Sequence, residues 1–408
     1  MRTPLLLTCL MFTCFMISAS IDSTARAQPA QNQLLVQSNT AFALELYSQL
    51  KSAPGNLFFS PYSISTCLAM TYAGARGETE NQMARVFHFP KEQAQLHSSF
   101  GGLQRDLRNA EKQKEIELNI ANALWAQTNH PFLPDFLKIA RTEYEANVNQ
   151  ADFKTQANAV IQQINRWVAE KTKEKIQKIL PPDSLDAATR VVLANAIYFK
   201  GAWSKPYDKA QTSTQPFHLS SNNQVDGPLM HRLDDVRYTE NPDFQAIELS
   251  YGSSNQLSMV VFLPWQVDGC AELENRLKPD LLSKTIGDMR KRKVDIFLPR
   301  FKLESEFELK RPLAQLGMQD AFSSKADFSG IDGTRLLSIS TVLHKAWGEV
   351  NEEGTEAAAA TVVGIALTSA VPVAPPAVFR ADHPFLFLIR ETRSGTVLFL
   401  GRLADPSK

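Results

Sequence analysis

The chain is poor in the residues that build staples, metal cages and membrane spans. Of its four cysteines, Cys9 and Cys14 fall in an N-terminal apolar stretch, so the remainder carries only Cys67 and Cys270. Two cysteines so far apart do not make a disulfide framework, and Cys67, on the apolar face of a predicted helix, reads as a small buried hydrophobe. Neither sign of charge is in excess: 43 Lys and Arg balance 43 Asp and Glu, which removes any general attraction to nucleic acid or acidic lipid. The seven histidines (His88, His97, His130, His218, His231, His344 and His383) are scattered without ligand spacing. They read as surface or satisfied core groups, and no metal or other cofactor is expected. Catalytic punctuation is missing too: there is no G-x-S-x-G elbow, Walker loop, dinucleotide fingerprint or H-E-x-x-H. Ser, His and Asp are present, but without a motif that fixes triad geometry they do not argue for an enzyme.

The N-terminus follows secretory grammar. Arg2 supplies a short basic region, Leu5 to Ile17 the apolar core, and Ala25-Arg26-Ala27 a small-x-small cleavage site before Gln28. The expectation is a signal peptide over 1–27, with a cut after Ser20 as the alternative. The product is then exported, to the extracellular space or to a bacterial periplasm. The apolar run is too short to span a membrane, and nothing later supplies a span. With no Gly/Ser- or Pro-rich linker and no internal repeat, 28–408 reads as one large α+β domain.

Helical patterns dominate the first third, as in Thr40 to Gln49 and Ile64 to Tyr72. Ile161, Ile164, Trp167 and Val168 recur at helical spacing in Asn158 to Ile179, which Pro181-Pro182 should stop. Val191 to Phe199, Leu257 to Leu263, Val294 to Leu298 and Pro384 to Arg390 read as strands, and Thr392 to Gly395 as a turn that leads from the last of these into the final strand of the chain. The densest basic run, Arg290-Lys291-Arg292-Lys293, is the one candidate contact for a sulfated polysaccharide or other polyanion. Flanked by Asp288 and Asp295, it reads first as a solvated turn edge.

One stretch does not fit an ordinary core. After Glu349-Val350-Asn351-Glu352-Glu353-Gly354-Thr355-Glu356 comes Ala357-Ala358-Ala359-Ala360-Thr361, and from Ala357 no charged residue appears before Arg380. Small uncharged residues without a helical stripe cannot build a core, so 354–379 reads as a held-out loop. Side chains alternate along a strand, so Thr355, Ala357, Ala359 and Thr361 would face one way and Glu356, Ala358, Ala360 and Val362 the other. The first set is small and uncharged throughout.

This region resembles the hinge and reactive-centre loop of the serpins, the serine protease inhibitors. Three further blocks extend the resemblance over the mature chain: Asn56-Leu57-Phe58-Phe59-Ser60-Pro61 with Met70 to Thr79, Asn195-Ala196-Ile197-Tyr198-Phe199-Lys200-Gly201-Ala202-Trp203, and Phe379 to Ile389. The resemblance implies a serpin-like fold, several helices on a large sheet plus smaller sheets, in a monomeric suicide inhibitor. A target serine protease cuts the loop, is held as a covalent acyl-enzyme, and is carried off as the loop inserts into the main sheet. Insertion of fifteen residues at ~3.3 Å each moves the acyl end roughly 50 Å.

Counting sixteen residues on from Glu352 puts the reactive bond at Thr368-Ser369, with Leu367-Thr368 the nearest competitor; counting back from Pro384-Phe385 lands at Val371 to Val373. No Lys or Arg lies between Glu356 and Arg380, which points to elastase-, chymotrypsin- or subtilisin-like targets. The family pattern places Ser63, Asn195 and His344 under the centre of the main sheet. It places Trp203 and Glu352 at its top, with Arg300 as a candidate partner of Glu352. The competing readings are a non-inhibitory carrier or chaperone on the same scaffold, and an inhibitor of papain-like cysteine proteases.

Overall fold

A computed structural model describes residues 23–90, 92–111, 115–354 and 375–408. The leader up to Asp22 therefore lies outside the described residues, as do Thr355 to Ala374.

The helix Pro61–Tyr72 starts where the sequence sets it: Ser60 caps it, its Oγ accepting the Ser63 N–H at 3.1 Å, and Pro61 occupies the first turn. Every residue of this helix is buried, and its Thr66 and Thr71 hydroxyls are satisfied within it by the Tyr62 and Cys67 carbonyls. The helix Phe153–Lys171 is instead amphipathic and lays Val160, Ile161, Ile164 and Val168 on the sheet below. It ends at Lys171, eight residues short of the Ile179 that the sequence pattern suggested. Oγ1 of Thr172 accepts the Ile176 N–H at 3.2 Å, and Lys173 and Glu174 take positive φ of 50° and 61°. Asn165 then receives the N–H groups of Ile179 and Leu180, both at 2.9 Å, on its Oδ1. The apolar repeat continues past the helix because Ile176, Ile179 and Leu180 are buried in the same core while outside the helix.

Two sheets carry the α+β fold. The five-stranded sheet runs Phe301–Glu308, Ile339–Val350, Val191–Gly201, Ile116–Gln127, Asn147–Ala151. The nine-stranded one runs Leu57–Phe59, Val397–Leu403, Phe385–Glu391, Leu257–Pro264, Phe244–Tyr251, Asn223–Glu240, Arg290–Pro299, Ala377–Arg380, with Ser213–Ser220 paired to Asn223–Glu240. Phe58 joins them, stacked on Phe399 at 5.0 Å and lying against Gly348 of the smaller sheet. Phe199 also meets Phe399, at 5.5 Å. Cys67 and Cys270 are both buried and free, and burial pushes each thiol up to about 12. Among the described residues no helix is long and apolar enough to cross a membrane.

The basic run Arg290 to Lys293 is not a turn edge. It forms the exposed first four residues of the strand Arg290–Pro299, because Arg290, Lys291, Arg292 and Lys293 register with Tyr238, Arg237, Val236 and Asp235 on the neighbouring strand.

Candidate loop-insertion site

Val191–Gly201 and Ile339–Val350 are parallel neighbours in the five-stranded sheet, paired from Ile339 opposite Val191 to Gly348 opposite Phe199 with one register shift between Ile339 and Thr341. The chain that leaves the C-terminal end of Ile339–Val350 is the small-residue segment that begins at Gly354. Folded back, it would run antiparallel to both strands of this seam and could hydrogen-bond to each.

A buried polar cluster lies at the middle of the seam. His344 and Asn195 are direct register partners, and both are at most 1 % exposed. Nε2 of His344 accepts the Ser60 backbone N–H at 3.0 Å. The proton of the neutral ring is then on Nδ1, which donates to Oδ1 of Asn195. Nδ2 of Asn195 donates to Oγ of Ser63 at 2.6 Å and to Oδ1 of Asn122. Burial holds the imidazole neutral, its pKa lowered to about 3. The cluster thus ties the helix Pro61–Tyr72 to both strands of the seam and to Ile116–Gln127.

The top of the seam is held differently. The Glu352 side chain is 2 % exposed and accepts from the Arg300 guanidinium and, at 2.8 Å, from Oγ1 of Thr212. Burial works to raise its pKa, but the bonds from Arg300, its own backbone and Thr212 outweigh burial and leave the carboxyl below the usual glutamate value. Glu353 pairs with Lys209. The Trp203 and Tyr207 backbone N–H groups donate to the carbonyls of Glu353 at 3.1 Å and Glu352 at 2.7 Å, and Nε1 of Trp203 donates to that of Asn351 at 2.9 Å. The Trp203 ring stacks on Tyr251 at 4.4 Å. Gly354 closes this turn with φ of +76°, and a Cβ there would lie 2.1 Å from the Trp203 nitrogen, so no other residue fits without movement. The chain returns at Ala377–Arg380, paired in parallel with Arg290–Pro299. The two ends of the loop are therefore fixed to different sheets.

Ser63, Asn195 and His344 are brought together, as are Trp203, Glu352 and Arg300. Gly354 is in place at the loop base, whereas the hinge residues Thr355 to Thr361 and the reactive-bond residues Leu367, Thr368 and Ser369 lie outside the described residues. Sequence reasoning missed Asn122, Ser60 and Thr212. Asn122 had a signal, since it interrupts the apolar alternation of Ile116–Gln127 and registers directly with Asn195. In the basic run, Arg292 pairs with Glu240 at 3.3 Å, and Arg290 donates to the Gly287 carbonyl at 2.6 Å. Among the described residues no cluster of His, Cys, Asp and Glu is placed to hold a metal ion.

The family model "Serpin (serine protease inhibitor)" matches residues 37–406. A leukocyte elastase inhibitor of Xenopus laevis is 39% identical over 376 residues, covering 90% of this chain and 98% of that protein. Uncleaved ovalbumin superposes with a TM-score of 0.82 at 31% identity, covering 91% of this chain and 100% of that one. Human thyroxine-binding globulin does so with a TM-score of 0.83 at 29% identity, covering 93% and 100%. The chain belongs to the serpin family, which places it among protease inhibitors rather than enzymes.

Proposed function

We propose that the protein is an exported, monomeric suicide inhibitor of serine proteases, made as a single domain over 28–408 after removal of residues 1–27. The observation that carries this reading is the seam. Two parallel strands lie side by side with a polar cluster at their junction, and a small-residue segment starts at the end of one of them. A protease attacks the loop at Thr368-Ser369, with Leu367-Thr368 as the alternative bond, and its serine is esterified by the new C-terminus. The released segment, Thr355 leading, then enters between Val191–Gly201 and Ile339–Val350. In this reading Ser63, Asn195 and His344 govern parting at the centre, and Trp203, Glu352 and Arg300 govern entry at the top. The inserted strand gains hydrogen bonds on both edges, which drives the distortion that stops deacylation.

The uncharged bait fits elastase-, chymotrypsin- or subtilisin-like enzymes better than trypsin. A non-inhibitory carrier is the second reading, favoured by the likeness to thyroxine-binding globulin. A gel with a panel of proteases separates the two. Suicide inhibition gives a band stable to SDS and heat at the summed mass of protein and protease, with a released peptide beginning at Ser369. Simple cleavage by every protease tried contradicts it.

A further inference from the structure

A cleft of about 490 Å³ opens on the nine-stranded sheet, and its wall includes Arg232, Arg237, Lys291 and Arg390. Together with Lys205 these make five cations facing three carboxylates, Asp234, Asp235 and Glu248. The carboxylates do not neutralise the wall. Asp234 is shared by Lys205 at 3.0 Å and Arg232 at 3.4 Å, and Glu248 is shared by Arg237 and, at 3.7 Å, by Arg390.

Three features make this more than a solvated charge cluster. The Arg232 side chain is 6 % exposed and its guanidinium is held 4.4 Å over the Tyr207 ring, yet its Nε–H has no hydrogen-bond partner among the described residues. The Nε–H of Arg390, on a side chain 12 % exposed, is the group that stands 3.7 Å from the Glu248 carboxylate, beyond hydrogen-bond distance. Lys291 stands directly opposite Arg237 in antiparallel register, a like-charge arrangement that weakens strand pairing. Facing like charges are unfavourable, and an anion seated in the cleft between them relieves the repulsion.

We propose that this cleft binds a small molecule of sugar size carrying a phosphate or sulfate ester. A volume of about 490 Å³ suits such a ligand. Guanidinium groups present their N–H donors in a fork that matches tetrahedral oxyanions. The carboxylates in the same wall serve as acceptors for ligand hydroxyls. They also repel the successive charges of a long polyanion, so a compact ester with a hydroxylated body is the better match. This site is separate from the seam and does not depend on the inhibitory mechanism.

Calorimetric titration of the full chain tests it, with glucose 6-phosphate, glucose 6-sulfate, inorganic phosphate, glucose and a long sulfated polysaccharide as probes. The proposal expects saturable one-to-one binding of at least one ester, tighter than inorganic phosphate, and none of glucose. It expects Arg390→Gln and Lys291→Ala each to weaken that binding by about tenfold or more. Should Arg390→Gln fail to fold, Lys291→Ala, at an exposed position, decides alone. Binding of neither ester, binding of the polysaccharide only, equal binding of inorganic phosphate, or an affinity unchanged in Lys291→Ala overturns the proposal.

Discussion

His344 donates from Nδ1 to Oδ1 of Asn195 directly across the parallel seam of the five-stranded sheet. The two residues are register partners, so a strand entering between Val191–Gly201 and Ile339–Val350 cannot pass while this bond stands. The bond also belongs to a closed set, since Ser60, Ser63 and Asn122 supply the other partners. Opening the centre therefore exposes several buried polar groups at once, each costing about 1–3 kcal/mol when left unsatisfied.

The buried imidazole makes stability depend on pH. Its pKa is about 3 in the folded chain, against about 6.5 when unfolded. The unfolded chain thus binds more protons between those values, so the stabilisation is complete above pH ~6.5 and is lost as pH falls toward ~3. His97, lowered to about 4 by burial, acts in the same direction. Urea unfolding at about pH 7.5 and about pH 4.5 should show a lower midpoint in acid. His344→Gln should show a smaller drop, with His97 supplying part of what remains. An identical drop in the two proteins would assign the effect elsewhere.

Arg300→Ala should loosen the base of the loop. It leaves the buried Glu352 carboxylate with Thr212 and backbone as partners, at a cost of about 1–3 kcal/mol, moderated because the Arg300 side chain is 44% exposed. Amide exchange of Trp203 and Tyr207, whose N–H groups bond the Glu352 and Glu353 carbonyls, should accelerate with it. Unchanged protection at both would mean that the ion pair does not hold this turn.

Much of this site was legible because its parts are short and positional. Asn195 and His344 were placed through the resemblance to the serpin pattern, and both lie buried in strands where a polar side chain needs a partner. Gly354 marks a corner that tolerates no Cβ. What the sequence did not reveal depends on register. Asn122 matters only because antiparallel pairing sets it opposite Asn195. Thr212 joins Glu352 only because a short helical turn, Lys209–Gln211, brings it there. The end of the helix Phe153–Lys171 was misread because Ile176 to Leu180 stay buried after the helix stops, so the apolar repeat outlasts the hydrogen-bond ladder.

Thr355→Arg tests the hinge. If Thr355 enters the sheet first and faces the core, a long cation there meets a layer with no evident partner, which typically costs several kcal/mol. The native fold and the first cleavage step should be nearly unaffected. Insertion and hydrolysis compete for the acyl-enzyme, and each 1.4 kcal/mol added to the insertion barrier shifts the outcome about tenfold toward hydrolysis. Titration of protease activity should show the variant consumed in large molar excess while the enzyme survives. A stoichiometry equal to wild type would mean that Thr355 stays outside the sheet during trapping.

The central claim is that the seam between Val191–Gly201 and Ile339–Val350 accepts the loop as a sixth strand. Thermal unfolding of the intact chain and of the chain cut near Thr368 measures this most directly. Insertion adds a full row of backbone hydrogen bonds to the sheet, so the cut protein should unfold at a clearly higher temperature than the intact one. A midpoint that is unchanged or lower after the cut, as for an ordinary nicked loop, would contradict the account.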